Sequence, residues 1–562
     1  MDKICDINSR SGVADFLDIP YKQLTYILYI KKVDSLYISF EIPKKYGGFR
    51  QINAPKDNLK SLQKKLADSL WMYQDSLWRE KNIKSSLSHA FEKGKSIFTN
   101  ARIHKNKRFV MNVDLEGFFE SFHFGRIRGF FEKNRDYKLP IEVATVLAQL
   151  TCYNGHLPQG APSSPIITNI ICQILDVRLL EIAKKYRLDY TRYADDLTFS
   201  TNEKSFMKKQ EFFYEEMQVE IENAGFRINH NKTRLQHYYS KQKVTGLVVN
   251  EKINIDNIYY RKTRAMAHNL YKTGIFKIDG SPGTIEQLEG RFSFINQIDR
   301  YNHSFYDKKY NFYNLTGRDK QYQKLLFYKN FYSNSKPLII TEGKTDAKYI
   351  EAALKNLHAD YPTLISKKRN GAFEFKVSFL KRTTRLKHFM NLDQYGADTI
   401  KGIYRFYSQK DDNGKYPNYL AMFNNITESR PRYPVYLLFD NELKNKDKPL
   451  REFVSYVRLT ESQRSDFESN LNIKLIEDSN LHLVTNQLMG GADESEIEDL
   501  FDSVTLSQKV GGKTFSRNKN YDINKHYGKE IFSDFIARNY SRIDFTEFRC
   551  LLDSITKILE TY

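Results

Sequence analysis

The residues most able to do chemistry are Tyr193-Ala194-Asp195-Asp196. Two adjacent carboxylates repel each other, and a divalent cation relieves that repulsion. Mg²⁺ favours a site built from one or two carboxylates plus substrate phosphates. An isolated Asp-Asp pair is more simply a solvated turn, because Asp is a common turn residue. A third acid shifts the balance. Asp114 ends the apolar run Phe109-Val110-Met111-Asn112-Val113, so a strand delivers its carboxylate. In-line phosphoryl transfer with two metal ions roughly 3.5–4 Å apart needs acids from more than one strand. Asp114 and Asp195 would bridge such a pair, with Asp196 in support.

The elements that must hold these acids can be read around them. Aromatic and β-branched residues flank the acids, from Leu188 to Arg192 and from Leu197 to Ser200. They predict a β-hairpin with the acids at its tip. Upstream, Leu157-Pro158-Gln159-Gly160-Ala161-Pro162-Ser163-Ser164-Pro165 is a loop fixed by Pro and Gly, and an apolar helix is expected from Ile166 to Leu180. Backbone N–H groups near that helix start, with Gln159 and Gly160, would face a triphosphate or a base.

The ordered set of strand-borne Asp114, Gln-Gly-x-Pro-x-Ser-Pro loop and Tyr-Ala-Asp-Asp hairpin resembles a reverse transcriptase palm. The resemblance implies an α+β right-hand polymerase with fingers, palm and helical thumb, using Mg²⁺ and dNTPs. It also implies that Phe119 is the bulky gate excluding a ribose 2′-OH, and that Lys232 is the lysine following the catalytic hairpin. Arg50, in Gly47-Gly48-Phe49-Arg50-Gln51, resembles the fingers residue that contacts phosphates; an ordinary surface arginine is the simpler reading.

Composition fits. The chain has 562 residues and a formal charge of +20, with 14% aromatic residues. Its pI is near 9.3 and its mean hydropathy −0.61. Such a surplus of cations favours a polyanion partner through counterion release. No apolar run reaches the roughly 18 residues of a membrane span, and the N-terminus lacks the apolar stretch of a signal peptide. Cys5, Cys152, Cys172 and Cys550 are too scattered for a zinc pair or a disulfide framework. A reducing bacterial cytoplasm is the expected home.

Along the chain, Leu59, Leu62, Leu66 and Leu70 predict an amphipathic helix. Asn100 and His104, four residues apart, share a helix face. Asn100-Ala101-x-x-His104 resembles a motif of retron reverse transcriptases, and capping or packing is as open to the pair as direct RNA contact. Lys243 to Asn250 reads as an apolar strand. Its Val244-Thr245-Gly246 again resembles retron enzymes, in which this region helps recognise structured RNA; a plain packed strand is the alternative. Residues 254–332 are basic and aromatic, and helical spacing suggests a thumb whose aromatics are mostly core.

A polar stretch, Ser333-Asn334-Ser335-Lys336-Pro337, suggests a boundary. Beyond it Leu338-Ile339-Ile340-Thr341-Glu342-Gly343 is a buried strand, an acid and a glycine turn. It resembles the first motif of a TOPRIM domain, in which the Glu binds a divalent metal. Phe439-Asp440-Asn441-Glu442 resembles the second motif, with Glu442 standing where an Asp is usual. The acidic stretch from Asp493 to Phe501 resembles the one that supplies a second metal site in TOPRIM nucleases, which implies Glu498 with Asp346 beside it; acids that simply favour a helix start are the alternative. A late lysine, Lys513 or Lys529, could stabilise charge on a scissile phosphate.

The expected domains are therefore fingers and palm at 1–250, an RNA-binding thumb at 251–333 and an α/β TOPRIM-like nuclease at 334–562. The combination resembles a retron reverse transcriptase fused to a TOPRIM domain. That family makes branched RNA–DNA from a cognate noncoding RNA and serves antiphage defence, here with the fused domain as effector; a homo-oligomer is possible. A group II intron-like enzyme and a TOPRIM half that only binds nucleic acid are the alternatives.

Overall fold

The acids at the hairpin tip are held by one antiparallel sheet. In a computed structural model, residues 4–44, 47–82, 87–305, 310–392, 396–408, 414–427, 430–518 and 520–562 are described. The chain divides into two compact units, residues 1–256 and 257–562.

In the first unit, β1 (Tyr37–Pro43) and β2 (Phe49–Pro55) form an antiparallel hairpin. Helix α1 (Asp57–Glu80) follows and buries Leu59, Leu62, Leu66 and Leu70, as their spacing predicts. Next come α2 (Ile97–Ile103), β3 (Phe109–Glu116) and α3 (Ser164–Lys185). Strands β4 (Asp189–Tyr193) and β5 (Asp196–Thr201) make the expected hairpin. After it come α4 (Gln210–Asn223), β6 (Arg227–Ile228) and β7 (Arg234–His237). The sheet order is β4-β5-β3-β6, and β7 also pairs with β3.

The register places the chemistry. Asp114 on β3 lies opposite Asp196 on β5. Tyr193 pairs with Asp196, which leaves Ala194 and Asp195 as a two-residue turn. Ala194 has φ +54°. Hairpins favour turns with positive φ, since these match the strand twist, but a side chain there costs on the order of 1 kcal/mol. The Leu115 N–H donates to the Asp195 carbonyl at 3.0 Å, which fastens the turn to β3.

The stretch expected as one strand from Lys243 to Asn250 is instead a tight hairpin. Its arms are β8 (Lys243–Val244) and β9 (Leu247–Val248). Thr245 and Gly246, at φ +45° and +84°, form the turn. Two consecutive positive φ values fit the two-residue turn that reverses a hairpin, and only the glycine takes one without strain.

The second unit opens with helices, as the spacing in 254–332 predicts: α5 (Asn257–Thr273), α6 (Ile285–His303) and α7 (Gly317–Phe327). An α/β part follows, with β10 (Leu338–Thr341), α8 (Lys344–Asn356), β11 (Ser378–Phe379), β12 (Val435–Phe439), β13 (Asn472–Lys474), β14 (Leu481–Thr485), α9 (Lys529–Asn539) and α10 (Arg549–Leu559). The sheet order is β11-β10-β12-β14-β13. Its first four strands are parallel and β13 is antiparallel. Every residue of β10 and β12 is buried, as expected of a parallel sheet covered on both faces.

The helices and the α/β part share one core. Phe327 packs near Phe331, Tyr407 and Tyr419. The Tyr419 hydroxyl donates to Gln323 Oε1 at 2.6 Å, and Gln323 Nε2 donates to the Phe389 carbonyl at 2.7 Å. The polar stretch 333–337 therefore marks a change of architecture inside one unit. The aromatics of this region serve mainly as its interior.

Candidate active sites

In the first unit, three carboxylates meet at one end of the sheet. Burial pushes Asp196 up to about 7, and Asp195 and Asp114 push the same way against Lys232. Asp195 is likewise raised by burial and Asp114, opposed by a backbone hydrogen bond, Lys232 and Arg50. Arg50 is exposed on β2, near enough to act on Asp195. Lys232 Nζ donates to both Asp114 oxygens, at 3.0 and 3.1 Å. Among the described residues, no three acid, histidine or cysteine side chains already stand at ligating distances. As an all-oxygen anionic set, the three carboxylates suit a hard divalent cation.

The Gln159-Gly160 loop is seated on β2 by close packing. The Asn53 N–H donates to the Gln159 carbonyl at 2.8 Å, docking the Gln-Gly loop on β2. Gly160 has φ +118°, and a Cβ there would lie 2.8 Å from Ile52 Cγ2 and 3.0 Å from the Asn53 carbonyl. Only glycine permits that approach. Phe119 is half-buried and edge-on to Phe118, with ring centroids 5.4 Å apart.

Asn100 and His104 lie in the interior. Both side chains are wholly buried. His104 Nε2 meets Thr191 Oγ1 at 2.7 Å and Nδ1 meets Ser200 Oγ at 2.8 Å. The Thr191 hydroxyl donates to Asn100 Oδ1 at 2.6 Å. Burial drives the His104 pKa down to about 3, so the ring is neutral near pH 7. This arrangement leaves no surface for the direct RNA contact weighed for the pair. Their side chains brace β4 and β5 from behind. Val244 is also buried, and Thr245 Oγ1 reaches the Ile97 carbonyl on α2 at 3.5 Å, so the two motifs adjoin. Gly246 alone of these five is exposed.

One ion pair escaped the reading of the sequence. Arg192, just before the Tyr-Ala-Asp-Asp tip, is fully buried. Its Nε and Nη2 donate to the two Asp176 oxygens, each at 2.8 Å. Arg192 Nη1 reaches the Ala194 carbonyl at 3.4 Å, and the Tyr190 hydroxyl donates to Asp176 Oδ1 at 2.8 Å. The pair ties the β4–β5 hairpin to α3. Its signal was Asp176, the lone acid between Ile166 and Leu180. An acid inside an apolar helix needs a cationic partner. Removing one member strands a buried charge, so Asp176→Ala should destabilise the chain by about 3–5 kcal/mol. Denaturant unfolding would read this, and a loss under about 1 kcal/mol would mean that solvent reaches Arg192.

In the second unit, the sheet gathers a second acid cluster. Glu342 follows β10, Asp440 and Glu442 follow β12, Asp346 lies in the first turn of α8, and Glu498 is in a single 3-10 turn at Ile497–Leu500. Burial, then Glu442 and Asp346, push Glu342 up to about 7. Asp440 is raised well above the usual carboxylate range by burial, Asp346, Glu498 and Glu342, although it accepts the Ile497 N–H at 2.8 Å. Glu342 Oε2 and Glu498 Oε1 are buried without a hydrogen-bond partner. Unpaired buried carboxylate oxygens are costly, and a cation would satisfy them. Two lysines counter part of the charge. Lys448 Nζ pairs with Glu442 Oε1 at 2.6 Å. Lys529 Nζ pairs with Glu498 Oε2 at 3.0 Å and Glu496 Oε2 at 3.1 Å. Lys513 instead donates to the Ile523 carbonyl at 2.6 Å, so Lys529 is the late lysine in this cluster.

A family model described as reverse transcriptase (RNA-dependent DNA polymerase) matches residues 42–254. The retron Ec86 reverse transcriptase of Escherichia coli is 36% identical over 283 residues, covering 50% of this chain and 82% of that protein. The retron Mx162 reverse transcriptase of Myxococcus xanthus is 32% identical over 333 residues, covering 53% of this chain and 65% of that protein. The chain thus spans just under two thirds of the Mx162 enzyme. The retron Ec73 reverse transcriptase of Escherichia coli is 31% identical, covering 48% and 86%. A telomerase structure from Candida albicans, complexed with a fragment of telomeric RNA, aligns at 11% identity over 56% of this chain and 63% of that one. Its TM-score is 0.31. Identity above 30% across most of the Ec86 and Ec73 enzymes places this chain in the retron reverse transcriptase family.

Proposed function

We propose that the chain is an RNA-directed DNA polymerase that copies a cognate noncoding RNA into branched RNA–DNA. We further propose that its second unit carries a TOPRIM-like, metal-dependent nuclease acting as effector in antiphage defence. The observation that carries the polymerase reading is the register of Asp114 against Asp196, with Asp195 in the turn between β4 and β5. Mg²⁺ held by Asp114, Asp195 and Asp196 would activate a primer hydroxyl and stabilise charge on the leaving pyrophosphate. Lys232 holds Asp114 in place until a cation competes for it. Arg50 offers a cation to the phosphates of an incoming dNTP. The Gln159-Gly160 backbone, fixed on β2, shapes the nucleotide's seat. Among the described residues no helix is long and apolar enough to cross a membrane, and a bacterial cytoplasmic setting is proposed with the rest.

The test is dNTP incorporation by the purified chain on a primed RNA template. Within it, Phe119 should exclude ribonucleotides by collision with the 2′-OH. Phe119→Ala is expected to lower the preference for deoxynucleotides by roughly tenfold or more, the size of effect a pocket's steric contact supplies. An unchanged ratio would place the gate on another residue.

A second reading of the α/β part has an observation in its favour. Lys448 and Lys529 already neutralise part of the acid cluster, as they would in a domain that binds nucleic acid without cutting it.

A further inference from the structure

On the first unit, at the end of β3 away from Asp114, lies an open cleft of about 500 Å³. Asn106, Lys107, Arg108, Asn202, Tyr238 and Glu251 are among its lining residues. Its frame is stiff. The Tyr238 N–H donates to the Arg108 carbonyl at 2.9 Å, and the Arg108 N–H donates to Asn202 Oδ1 at 2.7 Å. Tyr238, which lines the cleft, is 57% exposed and its chain neighbour Tyr239 75%; their rings meet edge to face, with centroids 5.5 Å apart and planes 72° from parallel. Tyr239 stacks on His237 with centroids 5.1 Å apart and planes 18° from parallel. The Arg108 guanidinium lies 5.0 Å from the Tyr238 ring centroid.

We propose that this cleft binds an unpaired RNA nucleotide, its base stacked on the exposed face of one of these two tyrosine rings beside Arg108. The inference rests on the polymerase reading only for the source of the RNA. A solvent-facing aromatic ring beside a planar guanidinium suits base stacking. The charges select against a duplex. Lys107 is engaged by Asp189 at 2.5 Å and Glu251 sits on the rim. Arg108 is then the main cation, whereas holding a helix backbone takes several. Position separates the cleft from the reaction. Phe109 pairs with His237 on β7, five residues before Asp114 on the same strand. At about 3.3 Å per residue, the cleft is roughly 17 Å from the catalytic acids. It therefore holds RNA that is not being copied, which suits a folded segment of the template molecule.

The test uses the full chain and a single-stranded oligouridylate carrying 4-thiouridine. After irradiation, crosslinked peptides are mapped, with competition by oligoriboadenylate or by a blunt RNA duplex. Crosslinks are expected within residues 106–108 or 237–239. In the double variant Tyr238→Leu, Tyr239→Leu their yield should fall roughly tenfold, the effect of losing a stacking partner. Both rings are exposed, so the variant should fold, and primer extension on a generic primed RNA template should persist. Crosslinks found only elsewhere would overturn the proposal, as would undiminished yield in the variant or a duplex that competes as well as the single strand. Absent primer extension in the unmodified chain would count against the polymerase reading and leave the crosslink map to judge the cleft by itself.

Discussion

Asp195→Asn is expected to lower DNA synthesis on a primed RNA template by about 10³-fold, the scale on which a single charge-stabilising group at a reacting centre acts. Asparagine keeps the shape of the side chain and tolerates turn geometry well. The bond from the Leu115 N–H to the residue 195 carbonyl involves only backbone, so the turn stays fastened to β3. What disappears is one of three mutually repelling charges, since Asp195 and Asp114 both push the Asp196 carboxyl up. The variant should therefore fold as well as the unmodified chain, with an equal or higher thermal midpoint, because active-site charges are commonly held at the expense of stability. Its affinity for RNA should be little changed. Loss of activity with retained stability separates a chemical role from a structural one. Synthesis at the original rate would remove Asp195 from the reaction.

What could be read in the sequence follows the range of the interactions. Hairpin, strand-borne acid and amphipathic helix are local patterns, so β3, β4, β5 and the Leu59–Leu70 face emerged as expected. The α/β part was equally open, because β10 and β12 are short apolar runs that each end in an acid. The Val-Thr-Gly stretch was misread because a two-residue turn inside an apolar run leaves the alternation of the run almost intact. Only the glycine signalled it.

The rest was hidden because it depends on pairs far apart in the chain. His104 finds Thr191 and Ser200 across nearly a hundred residues, and nothing near His104 marks it as interior. Glycine at 160 is imposed by Ile52 and Asn53, so its meaning lies in another strand. The choice between Lys513 and Lys529 was open for the same reason. Lys529 is set by Glu496 and Glu498, more than thirty residues before it. The boundary at 333–337 was visible as composition, but the sharing of one core by the helices and the α/β part arises from contacts such as Gln323 with Phe389.

Glu342→Gln is expected to abolish any metal-dependent cleavage by the second unit while leaving DNA synthesis intact. Glu342 has a buried oxygen with no hydrogen-bond partner, and Glu442 and Asp346 add to the burial that pushes its carboxyl up to about 7. Lys448 and Lys529 oppose this, yet each is already paired with another acid, Glu442 and Glu498. A divalent ion would relieve what the lysines leave uncompensated. Binding of that ion to the folded chain alone would raise its stability, by about 2.7 kcal/mol when the ion is at a hundred times its dissociation constant. Measured in the Asp195→Asn background, which weakens the polymerase site's own claim on the ion, the thermal midpoint should rise with added Mg²⁺ or Mn²⁺. Glu342→Gln should cut most of that rise and should itself raise the ion-free midpoint by easing repulsion. In cells, the same substitution should remove phage protection without lowering the yield of branched DNA. A variant that keeps both the ion-dependent rise and the protection would rule out Glu342 as a metal-holding effector residue. If the unmodified chain shows no ion-dependent rise and no cleavage, the two lysines are the acids' permanent counter-ions and the unit binds nucleic acid without cutting it.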